Sequence, residues 1–220
     1  MTTSFPAGAK ERAARGRSRD RDADPGPAPA RAALHEAALS YLARGSATAA
    51  TLTRVLDRKV ATWARRAARA QRDPELVAAD VMTCRESIAA IVARFREVGL
   101  IDDAAYAASR ARSLSRAGRS RRAISAHLAA KGVAAETVRE ALPADANVEL
   151  AAALAFARKR RIGPYAREAA DDDRAARQKA LAAMARAGFA WSTCERALGM
   201  DLEEADERLA ADPLGTTWSR

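Results

Sequence analysis

Three times along this chain an apolar-periodic stretch closes on a glycine with an apolar residue behind it, at Val98-Gly99-Leu100, Lys131-Gly132-Val133 and Ala187-Gly188-Phe189. A glycine just past a helix takes the left-handed conformation that residues with a Cβ resist. The apolar residue beyond it folds back onto the last turn, so each signature ends one helix and sets the direction of the next. Laying Arg121 to Leu142 over Arg177 to Leu198 without a gap puts Gly132 on Gly188, Val133 on Phe189, Leu128 on Met184, Val138 on Cys194 and Leu142 on Leu198. Abundant alanine inflates chance identity, so the weight rests on the large apolar residues and the glycine, the positions that a buried face and a helix cap require. A small helical unit has been used several times.

The 220 residues allow one large domain or two ordinary ones, and 49% apolar content with only 5% aromatic suits helices packed through Ala and Leu. An all-α fold is expected. A formal net charge of +10 favours an anionic partner, nucleic acid or a protein coated on it. No apolar run is long enough to span a bilayer, and the basic N-terminus has no apolar core behind it of the kind a secretory signal needs. Cys84 and Cys194 lie far apart at apolar-periodic positions, which reads as buried free thiols in a reducing cytoplasm.

Residues 1–31 combine mixed charge from Lys10 to Asp24 with Pro25, Gly26, Pro27 and Pro29, and are expected to form a disordered basic, Pro-rich tail. A first three-helix unit is expected over 32–100. Leu34, Ala38, Leu39 and Leu42 share one face of its first helix, and Gly45 stops it. In the second helix, begun after Ser46 or Thr48, Leu52, Leu56, Val60 and Trp63 form the inner face. Arg54, Arg58, Arg65, Arg69 and Arg72 fall opposite, and the helix runs to about Gln71 before Asp73-Pro74. A third helix is predicted from about Glu86 to Val98. A second unit, 101–143, opens at Asp102-Asp103, where carboxylates suit a helix N-terminus, and continues after Gly118 with a helix from Ser120 to Lys131. From Ala104 to Ala135 there is no acidic residue, yet Arg110, Arg112, Arg116, Arg119, Arg121, Arg122 and Lys131 are present. A third unit, 144–200, carries the basic run Arg158-Lys159-Arg160-Arg161, turns at Ile162-Gly163-Pro164-Tyr165, resumes near Asp173 and ends with a short helix capped by Ser192. Residues 201–220 read as a frayed C-terminal tail.

No catalytic constellation assembles from these residues, so an enzyme is not expected. His35 and His127 are isolated on amphipathic helices, and a lone histidine there reads as packed or half-exposed. Asp102-Asp103 reads as a cap and Asp171-Asp172-Asp173 as a helix start, since a hard cation wants more oxygen ligands at defined spacing. No glycine-rich phosphate loop occurs, and neither a metal nor another cofactor is expected. Trp63, Phe95 and Phe156 lie on apolar stripes and read as core, which argues against stacking on single-stranded bases. The segregated arginines carry the functional signal, because each phosphate they neutralise releases counterions and gives salt-sensitive binding without base reading.

Gly99-Leu100-Ile101-Asp102-Asp103 with Tyr106-Ala107, then Gly118-Arg119-Ser120 with Ile124, Leu128 and Lys131-Gly132-Val133, resembles the central part of the RecX family of recombination regulators. Ala38-Leu39-Ser40-Tyr41-Leu42-Ala43-Arg44 resembles that family's first helix. Arg160-Arg161-Ile162-Gly163-Pro164, Lys179-Ala180-Leu181 and Ala185-Arg186-Ala187-Gly188-Phe189 resemble its third repeat. The arginine-rich extension from Val60 to Arg72 resembles only a subset of the family, and the Pro-rich tail has no counterpart in its pattern. The resemblance implies tandem three-helix repeats forming an elongated, curved array, monomeric, that lies along a RecA filament on single-stranded DNA. The resemblance further implies that it restrains ATP hydrolysis, strand exchange and co-protease activity there, and so recombination, DNA repair and the SOS response. A nonspecific nucleic-acid-binding protein and a sequence-specific transcription regulator are the alternatives that the charge alone leaves open.

Overall fold

The computed structural model describes residues 25–142, 144–166 and 173–211, which form ten α-helices and one 3₁₀ turn, with no strand among the described residues. The chain divides between Ile101 and Asp102 into two compact units.

The first unit holds α1 (Arg31–Leu42), α2 (Ala49–Arg69) and α3 (Pro74–Glu97). Thr48 starts α2 by accepting a hydrogen bond from the Thr51 N–H at 3.0 Å. Leu52, Leu56, Val60, Trp63 and Ala67 then recur on one buried face of α2, and Leu52, Leu56 and Val60 pack with Cys84, Ile88, Ile91, Val92 and Phe95 of α3, with Leu34 and Ala38 of α1 closing the cluster. Each such large side chain contributes about 1.5–3 kcal/mol by leaving water, so this pairing fixes the rotation of α2. The helix expected from about Glu86 begins twelve residues earlier. Pro74 occupies its first turn, where the missing N–H costs nothing, and Asp73 caps it by accepting from the Glu75 N–H at 2.8 Å. At its other end the buried residue that folds back is Ile101, whose N–H donates to the Phe95 carbonyl at 3.1 Å, while Leu100, expected in that place, is exposed.

Part of the expected N-terminal tail is also ordered into this unit. The Trp63 indole N–H donates to the Gly26 carbonyl at 3.1 Å, the Cys84 thiol reaches the Pro29 carbonyl, and Ala28 packs on the core. Residues 1–24 of that tail lie outside the described residues.

The second unit contains α4 (Asp103–Arg116), α5 (Arg121–Ala130), α6 (Ala135–Ala141), α7 (Ala146–Arg160), a 3₁₀ turn (Gly163–Tyr165), α8 (Asp173–Arg186), α9 (Trp191–Gly199) and α10 (Leu202–Ala210). Asp102 and Ser120 cap α4 and α5 by accepting from the Ala105 and Ala123 N–H groups. Four of the five overlaid repeat pairs behave alike, while Leu142 is half-buried just past its helix and Leu198 is buried within one. Leu128 and Met184, Val133 and Phe189, and Val138 and Cys194 are buried, Gly132 and Gly188 hold φ of 80° and 92°, and Val133 and Phe189 each donate back to the carbonyl five residues earlier at 3.2 Å.

Two apolar clusters result, one centred on Ile124, Leu128 and Val138 and one on Leu150, Leu154, Met184, Phe189 and Leu198. They belong to the same compact unit because α4 packs on α7. The short α9 is capped at Ala190 with no side-chain cap, and Ser192 lies inside the helix instead. Where a frayed end was expected, Asp201 caps α10, whose Ala205 and Leu209 are buried against the α7–α9 cluster. Residues 212–220 lie outside the described ones.

Candidate functional site

Exposed cations stand on helices whose opposite faces are buried. On α2 the packed face leaves Arg54, Arg58, Arg65 and Arg69 on the exposed one. Arg72 follows the helix in a half-buried turn. Next to this stripe lies an open hollow of about 440 Å³ walled by Pro25, Pro29, Val55 and Trp63 and rimmed by Arg58, Lys59 and Arg66.

Cations meet more closely in the second unit. Arg119 follows Gly118 after α4, Lys159 and Arg160 end α7, and Arg186 ends α8. All four are exposed, and with Phe156 and small residues they line one cleft of about 500 Å³ to which no acidic side chain contributes. Three of them were candidates from the sequence, drawn from separate stretches. Arg186 was not, because it lies in no charge run and only the packing of α8 brings it to the others. Cations near helix C-termini face the partial negative charge of the last carbonyls, which offsets part of their mutual repulsion.

Close backbone packing sets the cleft's geometry. A Cβ on Gly118 would stand 2.7 Å from the Phe156 backbone nitrogen, so only glycine lets the end of α4 approach α7 this closely, and it does so at φ 78°. Ser120, fully buried, donates to the Ala187 carbonyl at 2.6 Å and thereby ties the start of α5 to the end of α8. Phe156, expected in the core, is half-buried and lines the cleft. Its ring meets Phe189 edge-on at 5.7 Å and carries the Arg160 guanidinium 5.6 Å above its centre.

The remaining candidates lie elsewhere. Arg110, Arg112, Arg116, Arg121, Arg122, Lys131, Arg158 and Arg161 do not line the cleft. The positive field of the acid-free span from Ala104 to Ala135 is not unopposed in space, as it is along the chain. Glu149 of α7 accepts hydrogen bonds from the Arg121 backbone N–H at 3.0 and 3.2 Å, placing a carboxylate at the start of α5. Burial pushes the Glu149 carboxyl up, and the Arg121 hydrogen bond and charge pull it back.

Arg110 donates to His127 Nε2 at 3.4 Å, and His127 is held below its ordinary range by burial and then by Arg110, Lys131 and Arg119. His35 packs edge-on against Phe95 at 5.2 Å. Both cysteines are buried and free, their thiols pushed up chiefly by burial. Among the described residues no group of three or more potential metal ligands occurs, and no helix is long and apolar enough to cross a membrane. Asp171 and Asp172 lie outside those residues.

Residues 102–142, the span of α4 to α6, match the family model of the RecX second three-helix domain. A regulatory protein RecX of Myxococcus xanthus is 36% identical over 168 residues, 75% of this chain and 83% of the relative. The chain belongs to the RecX family. A RecX of Agrobacterium fabrum is 42% identical over 114 residues, a match covering 52% of this chain and 60% of that protein, less than two-thirds of its length. A crystal structure of regulatory protein RecX shares the all-helical fold at a TM-score of 0.57, with 21% identity over 91% of this chain and 82% of that one. RecX proteins form a family of RecA regulators and are not enzymes.

Proposed function

We propose that this chain binds the RecA filament on single-stranded DNA and restrains its ATPase, strand-exchange and co-protease activities. RecX membership supports the choice of RecA. The observation that carries the mode of binding is the gathering of Arg119, Lys159, Arg160 and Arg186 around one cleft without a lining carboxylate, since a surface of one sign suits a partner that presents phosphates and acidic side chains. In this reading the helix triplets over 32–100, 101–143 and 144–200 are the docking units, and the cations of α2, of the acid-free span and of 158–161 make the contacts. The test is RecA ATP hydrolysis on single-stranded DNA with the full chain added below one molecule per RecA. Slowing at such amounts is expected. Slowing only in excess, with equal competition by naked DNA, would favour a nonspecific nucleic-acid-binding protein.

A further inference from the structure

We infer that the hollow on α2 seats the acidic helix α10 of a second copy of this chain, so that copies associate head to tail. This goes beyond the filament reading and needs neither RecA nor DNA. The walls of the hollow are Pro25, Pro29, Val55 and Trp63, and the polar groups beside them are already engaged within the chain. The Trp63 indole N–H donates to the Gly26 carbonyl at 3.1 Å and the Thr62 hydroxyl to the Arg58 carbonyl at 2.7 Å. Such a recess takes an apolar group, because a nucleobase or a phosphate would leave its own polar atoms unmatched there. Around it stand Arg58, Lys59 and Arg66, all exposed, and among the described residues no acidic side chain lines it. A fitting occupant therefore presents an apolar side chain bordered by carboxylates. Helix α10 presents one. Leu202 at its first turn is 52% exposed, Glu203 and Glu204 follow directly, and Glu207 stands one turn beyond Glu203, all of them exposed. Ala205 and Leu209 anchor α10 on the α7–α9 cluster, so this face is offered already folded and loses little freedom on docking. Because the two halves of the contact differ, each copy offers its hollow to one neighbour and its α10 to another. Association then propagates into a row unless it closes into a ring. One leucine and a few surface ion pairs make a weak contact, with a Kd on the order of 0.1–1 mM. It becomes effective where copies are held side by side, as a polymeric partner would hold them.

The experiment follows sedimentation of the full chain, without RecA or DNA, from about 10 μM to about 1 mM, a range that brackets this affinity. A monomer at the low end and a rising average mass at the high end are expected, and added salt should reduce the rise. Arg58→Glu with Arg66→Glu at the hollow, and Glu203→Arg with Glu207→Arg on α10, should each abolish association, since each sets like charge against like. Mixing the two variants should restore it, because each then meets the opposite charge on the other. Both keep a net positive charge, so general attraction does not account for recovery. Leu202→Ser should weaken association about tenfold with no change of charge, and it carries the test if circular dichroism shows that a reversal fails to fold. Arg85→Glu with Arg96→Glu, exposed on α3 and outside the hollow, should leave association nearly unchanged. A single species up to about 1 mM, equal loss in the α3 pair, or no recovery on mixing folded variants would overturn the assignment. Loss of oligothymidylate binding without loss of association in the hollow variant would give the hollow to nucleic acid instead. RecA ATP hydrolysis, measured separately with the unaltered chain, reports on the filament reading, so either idea fails without the other.

Discussion

At the scale of single residues, five helix ends in this protein share one hydrogen-bond pattern but not one residue. Arg72, Arg119, Val133, Ile162 and Phe189 each donate to the carbonyl five positions back, at 3.0 to 3.2 Å, across Gln71, Gly118, Gly132, Arg161 and Gly188 in positive φ. Gln71 at φ 55° and Arg161 at φ 56° adopt without glycine the conformation that a Cβ disfavours. Gln71 is exposed, so Gln71→Gly should stabilise the first unit by about 0.5–1 kcal/mol, read as a higher urea midpoint with unchanged slope. A lower midpoint would mean the side chain supports the turn. His127 makes a second residue-scale case. Its folded value lies below the ordinary 6.5, so as the solution is acidified the unfolded chain takes up the proton first. The stability this group contributes is complete above about pH 6.5 and is lost as pH falls towards its folded value. Urea midpoints of the second unit should therefore decline from pH 7.5 to 5.5, less steeply in His127→Gln. Parallel declines would assign the effect to other groups.

At the scale of elements, Ser120 carries two jobs with one hydroxyl. It caps α5 through the Ala123 N–H and donates to the Ala187 carbonyl at the end of α8, all in a fully buried position. Ser120→Ala should cost about 2 kcal/mol or more, because a lost cap and a stranded carbonyl add. The exposed Ser113→Ala in α4 should stay within about 0.5 kcal/mol. Equal small effects in urea denaturation would show that α5 and α8 are held together by other contacts. Such ties explain what was legible in the sequence. Helices α2, α4 and α5 show in periodicity and caps because their signals are local, as with Thr48, Asp102 and Ser120. What stayed hidden depends on distant partners. Pro25–Ala30 has the composition of a linker until Trp63 and Cys84 hold its carbonyls. In α10, Glu203, Glu204, Asp206 and Glu207 mask the only two inward residues, Ala205 and Leu209, and Tyr165 reaches across to donate to the Asp206 carboxylate at 3.0 Å. Arg186 joins the cleft through packing alone, and Glu149 opposes an acid-free stretch of chain from outside it.

At the scale of the whole molecule, the charge of +10 has a location as well as a size. One group of cations is displayed along α2 and a second surrounds the cleft by α4, α7 and α8. If both face the filament, where a charge is reversed must matter more than how many are reversed. Three double variants lose equal net charge: Arg12→Glu with Arg15→Glu in the N-terminal segment, Arg65→Glu with Arg69→Glu on α2, and Arg119→Glu with Lys159→Glu at the cleft. Arg121→Glu is avoided, since it would place a second carboxylate beside Glu149 and lower stability along with binding. A bulk electrostatic effect acts through total charge and is screened over about 10 Å at 0.1 M salt, so it would weaken all three alike and fade together as salt rises. A docked surface holds each reversed charge against its opponent at contact distance, where screening is least effective. Inhibition of RecA-driven strand exchange across a salt series should then fall tenfold or more for the α2 and cleft variants and less than threefold for the N-terminal pair. Equal loss in all three would refute docking and leave nonspecific attraction to DNA as the explanation of the charge. Loss in the cleft variant alone would confine the filament contact to the second unit and leave the α2 stripe as a solvated face.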